Sequence, residues 1–330
     1  MRRWLGALVI AGAFAAGFAA PAFAQAASVR YALVVEGVSG GDEFATLHRQ
    51  WLDSMVAILK KDGLDSAHIL ILAETPKPGE DKSTAEGVKT ALGKLAKQTK
   101  ADDVVFVMLI GHGGAEGMDA KFNLVGPDLS VTEWNDLLKP VAGHLVFVDA
   151  TSASFPYLKG LAAPGRVIIT ATNSAGQKYH TIFADAFIQA LSNPAADTDK
   201  NGRISMLEAF EYASRTVKQS YEQKGLMATE HAVFDDTGQG APHDAPVDGG
   251  AGTVAGLTYL DAVATPTSSD PGVQQLLERQ RALTDQVDDL RRRRPSMTPE
   301  AYDEEFEKVI TELSLVSRDI RRHGGGGESQ

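Results

Sequence analysis

Five short apolar runs set the strongest limit on what this chain can fold into. Residues 31–35 (YALVV), 68–72 (HILIL), 103–110 (DVVFVMLI), 144–148 (HLVFV) and 166–170 (RVIIT) are rich in Val and Ile. Such runs fit strands buried on both faces, as in a parallel sheet. Between the first two, Phe44, Leu47, His48, Trp51, Leu52, Met55, Val56 and Leu59 recur at steps of three and four. That spacing predicts one apolar helix face, which Gly63 can close at its C-terminus. His48 lies on this stripe and reads as a packed histidine rather than a ligand. Ser83 with Glu86, and Ser130 with Glu133, have the spacing of capping boxes, each opening a helix that leads to the next strand. Alternating strands and helices predict right-handed crossovers and an open, mainly parallel α/β sheet with helices on both faces. Ligand sites in such sheets lie at the carboxyl ends of the strands.

The chain has 330 residues, 43% of them hydrophobic, enough for a full core without staples. It has no cysteine, which excludes disulfides, thiolate metal sites and a cysteine nucleophile. Its formal net charge is −11, so its surface repels phosphate backbones and no nucleic-acid partner is expected. Met1-Arg2-Arg3, an apolar stretch over 4–20 and Ala22-Phe23-Ala24 read as a signal peptide over 1–24 with its cleavage site. A retained anchor is the alternative. No later stretch is apolar enough to span a bilayer, so the expected destination is periplasmic or secreted.

Beyond the main domain, expected over 25–236, residues 237–269 are rich in Gly, Ala, Pro and Asp and read as a linker. Leu257, Tyr259 and Leu260 suggest that part of it lies against the domain. Asp270-Pro271 then opens a helix whose Val273, Leu276, Gln280, Leu283, Val287 and Leu290 make a heptad seam. Arg291–Arg294 and Pro295 end it. Thr298-Pro299 starts a second helix with Tyr302, Phe306, Val309, Leu313, Val316 and Ile320 inside. The pair reads as an antiparallel coiled-coil hairpin over 270–323, followed by a disordered tail over 324–330. Residues such as Leu277 and Leu315 are left over for docking on the domain or for self-association. The four arginines read as a charged C-terminal turn rather than an anion site.

The third strand runs into Gly111-His112-Gly113-Gly114, and the fourth into Asp149-Ala150-Thr151-Ser152-Ala153-Ser154. Neighbouring strands thereby bring a histidine and a hydroxyl cluster to one edge. In these residues the chain resembles the caspase-like peptidases, within them the legumain-type branch. That family places a Gly-His-Gly histidine after one strand and an Asp/Glu-x-Cys-x-Ser-Gly nucleophile after the next. Ala171–Gly176 and the stretch from Thr229-Glu230-His231 to Asp235-Asp236 resemble its later segments, so the likeness runs over about 30–240. The resemblance implies His112 as general base and the N–H of Gly113 at the oxyanion. Thr151 stands at the cysteine position in one register, Ser152 in the other. A hydroxyl needs a well-oriented base, and no acid to hold His112 is visible.

Residues 197–208, DTDKNGRISMLE, match the calcium loop of an EF-hand. Asp197, Asp199 and Asn201 stand at positions 1, 3 and 5, and Gly202 at the sharp turn. The Arg203 carbonyl falls at 7, Ser205 at 9 and Glu208, as a bidentate ligand, at 12. Calcium is therefore the expected cofactor, while Asp235-Asp236-Thr237-Gly238 reads as a turn. The leading functional expectation is an exported peptidase-fold protein without cysteine-peptidase activity, stabilised by calcium. It would bind a peptide or protein at the carboxyl edge of the strands. The alternatives are a serine-dependent hydrolase using Ser152 and His112, and a scaffold acting through its helical hairpin.

Overall fold

The structure is a computed structural model that describes residues 28–177, 179–248, 250–261, 268–294 and 297–324. The expected signal segment, Pro295 and the tail beyond Gly324 lie outside the described residues. In chain order the elements are β1 (Arg30–Glu36), α1 (Asp42–Lys61), β2 (Ile69–Ala73), β3 (Asp81–Lys82), α2 (Ala85–Gln98) and β4 (Val104–Ile110). Then come β5 (Gly113–Glu116), β6 (Asp119–Phe122), β7 (Leu129–Ser130), α3 (Val131–Leu138), β8 (His144–Asp149), α4 (Phe155–Gly160) and β9 (Arg166–Thr170). The chain continues through α5 (Phe183–Ala190), α6 (Met206–Gln223), β10 (Val233–Asp235), α7 (Thr253–Gly256), α8 (Pro271–Arg293) and α9 (Pro299–Gly324).

The expected α/β sheet forms. Its seven strands run in the order β10-β9-β8-β4-β1-β2-β3. All neighbours pair in parallel except β10, which is antiparallel to β9. All seven residues of β4 are buried, because alternate side chains serve two cores. Phe106, Met108 and Ile110 pack with α1, α5 and α6, whereas Val105, Val107 and Leu109 pack with α2, α3 and α4. A second sheet, β5-β6-β7, leaves the end of β4 directly after His112. Its Gly-rich first strand carries little β signal in the sequence.

The Ser130–Glu133 capping box is present. The Ser83–Glu86 box is not: α2 begins one residue later, with Thr84 accepting from the Gly87 N–H at 3.0 Å. Ser83 is buried instead, its backbone joined to Ala73 and Val125. A cap is chosen by where the chain leaves the sheet, and two adjacent hydroxyl residues offer both registers.

The stretch after β10 packs closely on the domain. The Asp236 carboxylate accepts the N–H groups of Gly252, Val254 and Ala255, capping α7. Ala251, Val254, Ala255 and Leu260 join the core. Helices α8 and α9 pair antiparallel, with Arg279 bonded to Glu312 and Arg293 to Glu305. Leu283, Val287 and Leu290 are buried, while Leu315 is exposed. Asp270 caps α8 as its spacing predicts. None of the described helices is long and apolar enough to cross a membrane.

Candidate functional site

Strand β4 ends at Ile110, and Gly111 turns the chain with φ +149°, a conformation that favours glycine. His112 follows. Gly113 then passes close to the end of β8: a Cβ there would lie 2.9 Å from the Ala153 Cβ and 3.2 Å from the Thr151 hydroxyl. The parallel register of β4 and β8 thus brings the Gly-His-Gly turn and the hydroxyl cluster together, as the sequence implied.

The hydroxyls are arranged for structure. Thr151 is buried, and its N–H is bonded to the Asp149 carboxylate at 2.9 Å. Burial pushes Asp149 up to about 7, with the Thr151 N–H and hydroxyl opposing. Its second oxygen is buried with no partner among the described residues. Ser154 is buried and bonded to Thr172 through both its hydroxyl and the Thr172 N–H. Ser152 is half-buried, and its carbonyl accepts from Thr172. Among the described residues, no hydrogen bond joins the hydroxyl of Ser152 or Thr151 to His112.

His112 faces elsewhere. Burial lowers its pKa, and the backbone of nearby Ser39 opposes that only in part. The 37–39 loop is itself held by Ile110, Asn123 and Glu74. Around His112 stand Phe44, His48 and His180. Phe44, His48 and Trp51 share one face of α1 at steps of four and three. His180 comes from the loop before α5. There the Thr181 hydroxyl is bonded to the Ala150 carbonyl, and the Ile182 N–H to the Glu230 carboxylate.

His48 is packed, as its place on the stripe predicts, and fully buried. Yet neither of its ring nitrogens has a partner among the described residues, and the same holds for His180. Leaving a buried polar group unpaired costs about 1–3 kcal/mol. Burial, then the neighbouring His112 and His180, pull His48 down to about 4. His180 is lowered by burial first and then by His112. His180 has no mark in the sequence pattern beyond its place beside a helix start, and three ligands from three separate segments have no spacing to recognise.

The calcium-loop residues lie at the other end of the sheet. Carboxylate oxygens of Asp197, Asp199 and Glu208 lie within 4.8 Å of one another. Asn201 and Gly202 donate their N–H groups to Asp197. Gly202 takes φ +83° at the turn. Ser205 and Glu208 form the capping box of α6, and Glu208 also accepts from Thr198 and Asp199. The Arg203 side chain pairs with Asp261 at 3.0 Å and lies over the Tyr259 ring. Asp235 accepts from Thr237 and Gly240, so that segment is a turn, as read.

No protein-family model and no curated protein matches this chain. Among solved structures it is similar to protein GSU0716 from Geobacter sulfurreducens, at 14% identity and a TM-score of 0.42. That overlap covers 62% of this chain and 92% of the other. It is also similar to caspase-1 from Spodoptera frugiperda, at 10% identity and a TM-score of 0.40, covering 63% of this chain and 86% of the other.

Proposed function

We propose that this chain is a peptidase-fold protein of caspase and legumain type whose cleft binds a peptide or protein partner without cleaving it. One observation carries the reading: the His112 ring packs against Phe44 and two imidazoles, with no hydroxyl bonded to it among the described residues. A weak hydroxyl nucleophile without an engaged base leaves the dyad unassembled. A cavity of about 670 Å³ at the same edge of the sheet supports a binding role. Phe183, Val217 and Val233 give it an apolar floor, and Asn173, Tyr221 and His231 supply polar groups. Glu230 lines it and also holds the His180 loop. The test is a panel of peptide and ester substrates together with a fluorophosphonate probe. We expect neither turnover nor labelling. Turnover abolished by both Ser152→Ala and His112→Ala would establish the serine hydrolase instead.

Calcium belongs to the same proposal. The donors at 197–208 are hard oxygens, which suit that ion. Saturating calcium should raise the melting temperature by mass action, by several degrees, and Glu208→Gln should remove the shift. Equal melting temperatures in calcium and in chelator would rule the site out.

A further inference from the structure

We propose that His48, His112 and His180 form a binding site for a divalent transition-metal ion of the zinc class. The site stands whether or not the cleft takes a peptide.

The geometry comes first. The ring centroids lie 5.0 Å apart for His48 and His112, 5.6 Å for His112 and His180, and 5.9 Å for His48 and His180. One nitrogen from each ring lies within 4.8 Å of the others. An ion held about 2.0–2.1 Å from three imidazole nitrogens at tetrahedral angles places the ring centroids about 5 Å apart. Small rotations of the rings close the remaining gap.

The hydrogen-bond accounting points the same way. Buried polar atoms in folded proteins nearly always have partners. Here four ring nitrogens, both of His48 and both of His180, are buried without one among the described residues. A shared ion satisfies one nitrogen on each ring. Ser39 stands beside the His112 ring, where its backbone can hold one ring nitrogen while the other turns to the ion.

The donor set selects the ion. Three imidazoles with no carboxylate favour zinc, cobalt, nickel or copper over calcium or magnesium. The acidic loop at 197–208 offers oxygens, so the two places divide metals by softness. Phe44 and Trp51 wall the imidazoles on one side. Half-buried His112 and His180 leave an approach from solvent. Three protein ligands leave a fourth position for water or for an anionic group of whatever occupies the cleft.

The test is titration of the metal-free full-length protein with Co²⁺, followed by visible absorption, in excess calcium so that the acidic loop is occupied. We expect one equivalent to give an intense ligand-field band that Zn²⁺ displaces. His180→Asn and His112→Asn should each weaken binding by roughly 100-fold or more, whereas losing an outer-shell partner costs about 10–100-fold. Glu208→Gln should leave it unchanged. A second readout needs no variant: Zn²⁺ should shift the imidazole NMR signals of three of the eight histidines. Absence of the band, full-strength binding in both histidine variants, or NMR shifts at other histidines would overturn the site.

Discussion

Two carboxylates at opposite edges of the sheet are driven in opposite directions. Asp149, at the carboxyl end of β8, is pushed up to about 7 by burial, with one oxygen unpartnered. Asp289, on α8 beside the amino end of the same strand, is also pushed up by burial. There His144, Arg293 and Arg292 outweigh burial and hold it down at about 2. The contrast extends to the neighbours. All four arginines at 291–294 are engaged: Arg291 with Asp288, Arg292 with the Leu257 carbonyl, Arg293 with Asp289, and Arg294 over the Tyr302 ring. They tie the two helices to each other and to the domain. Single buried atoms there, such as Arg30 Nε and Arg292 Nε, still lack a hydrogen bond, but at the other edge both ring nitrogens of His48 and of His180 lack one among the described residues, as does one Asp149 oxygen. A charged cluster whose groups satisfy one another holds a structure together. A cluster that leaves them unsatisfied is set up for something else to supply the partner.

The most severe test of this contrast removes the charged edge. A chain ending at Ser269 loses the hairpin but keeps α7 and the core residues around it. We expect a cooperative thermal transition at a lower temperature. A chain ending at Thr237 also loses Ala251, Val254, Ala255 and Leu260 from the core, and should bind hydrophobic dye and melt without cooperativity. Equal behaviour of the two chains would show that the hairpin and α7 form one unit.

Next in size is the pH dependence. The folded chain keeps a proton on Asp149 that the unfolded chain releases near pH 4. This contribution therefore falls as pH rises from about 4 to about 7. Asp149→Asn should gain on the wild type between pH 5 and 8, by about 3 kcal/mol. For Asp289 the sign reverses. Its contribution is present above about pH 4 and lost as pH falls toward 2. Asp289→Asn should be less stable by about 2 kcal/mol at neutral pH, with the gap closing in acid. Denaturant unfolding across pH measures both, and parallel profiles for the two variants would break the comparison.

An effect of similar size to that at Asp289 is expected from Arg292→Ala, which leaves the Leu257 carbonyl without its donor and removes a buried cation beside Asp288 and Asp289. A loss of about 2–3 kcal/mol is expected, as for breaking a mostly buried pair. The smallest effect should come from His48→Leu in chelator. It replaces unpaired ring nitrogens with an apolar side chain, so stability should change by less than about 1 kcal/mol. If it costs as much as Arg292→Ala, the carboxyl edge is held together by its polar groups as firmly as the amino edge.

Much of this was legible in the residues. The five apolar runs became β1, β2, β4, β8 and β9, because a strand buried on both faces has to be apolar along its whole length. Helix α1, the Ser130 cap, the Asp270 cap and the paired C-terminal helices follow from spacing over a few turns. The Gly-His-Gly turn beside the Asp149–Ser154 segment follows from strand order. Less legible were the small sheet β5-β6-β7, whose first strand is mostly glycine, and the choice of Thr84 over Ser83. Both depend on how the chain leaves the main sheet rather than on local preference.

Local periodicity and capping chemistry, which act within about four residues, were enough to settle the layered α/β architecture and to bring His112 and the hydroxyl cluster to one edge. What His48 is for could not be read that way. A buried histidine on a helix stripe looks the same in sequence whether its nitrogens are satisfied or not. Only the tertiary structure brings α1, the end of β4 and the loop before α5 together, and so decides that its neighbours are two more imidazoles. Burial there removes the water that would otherwise have paired with them.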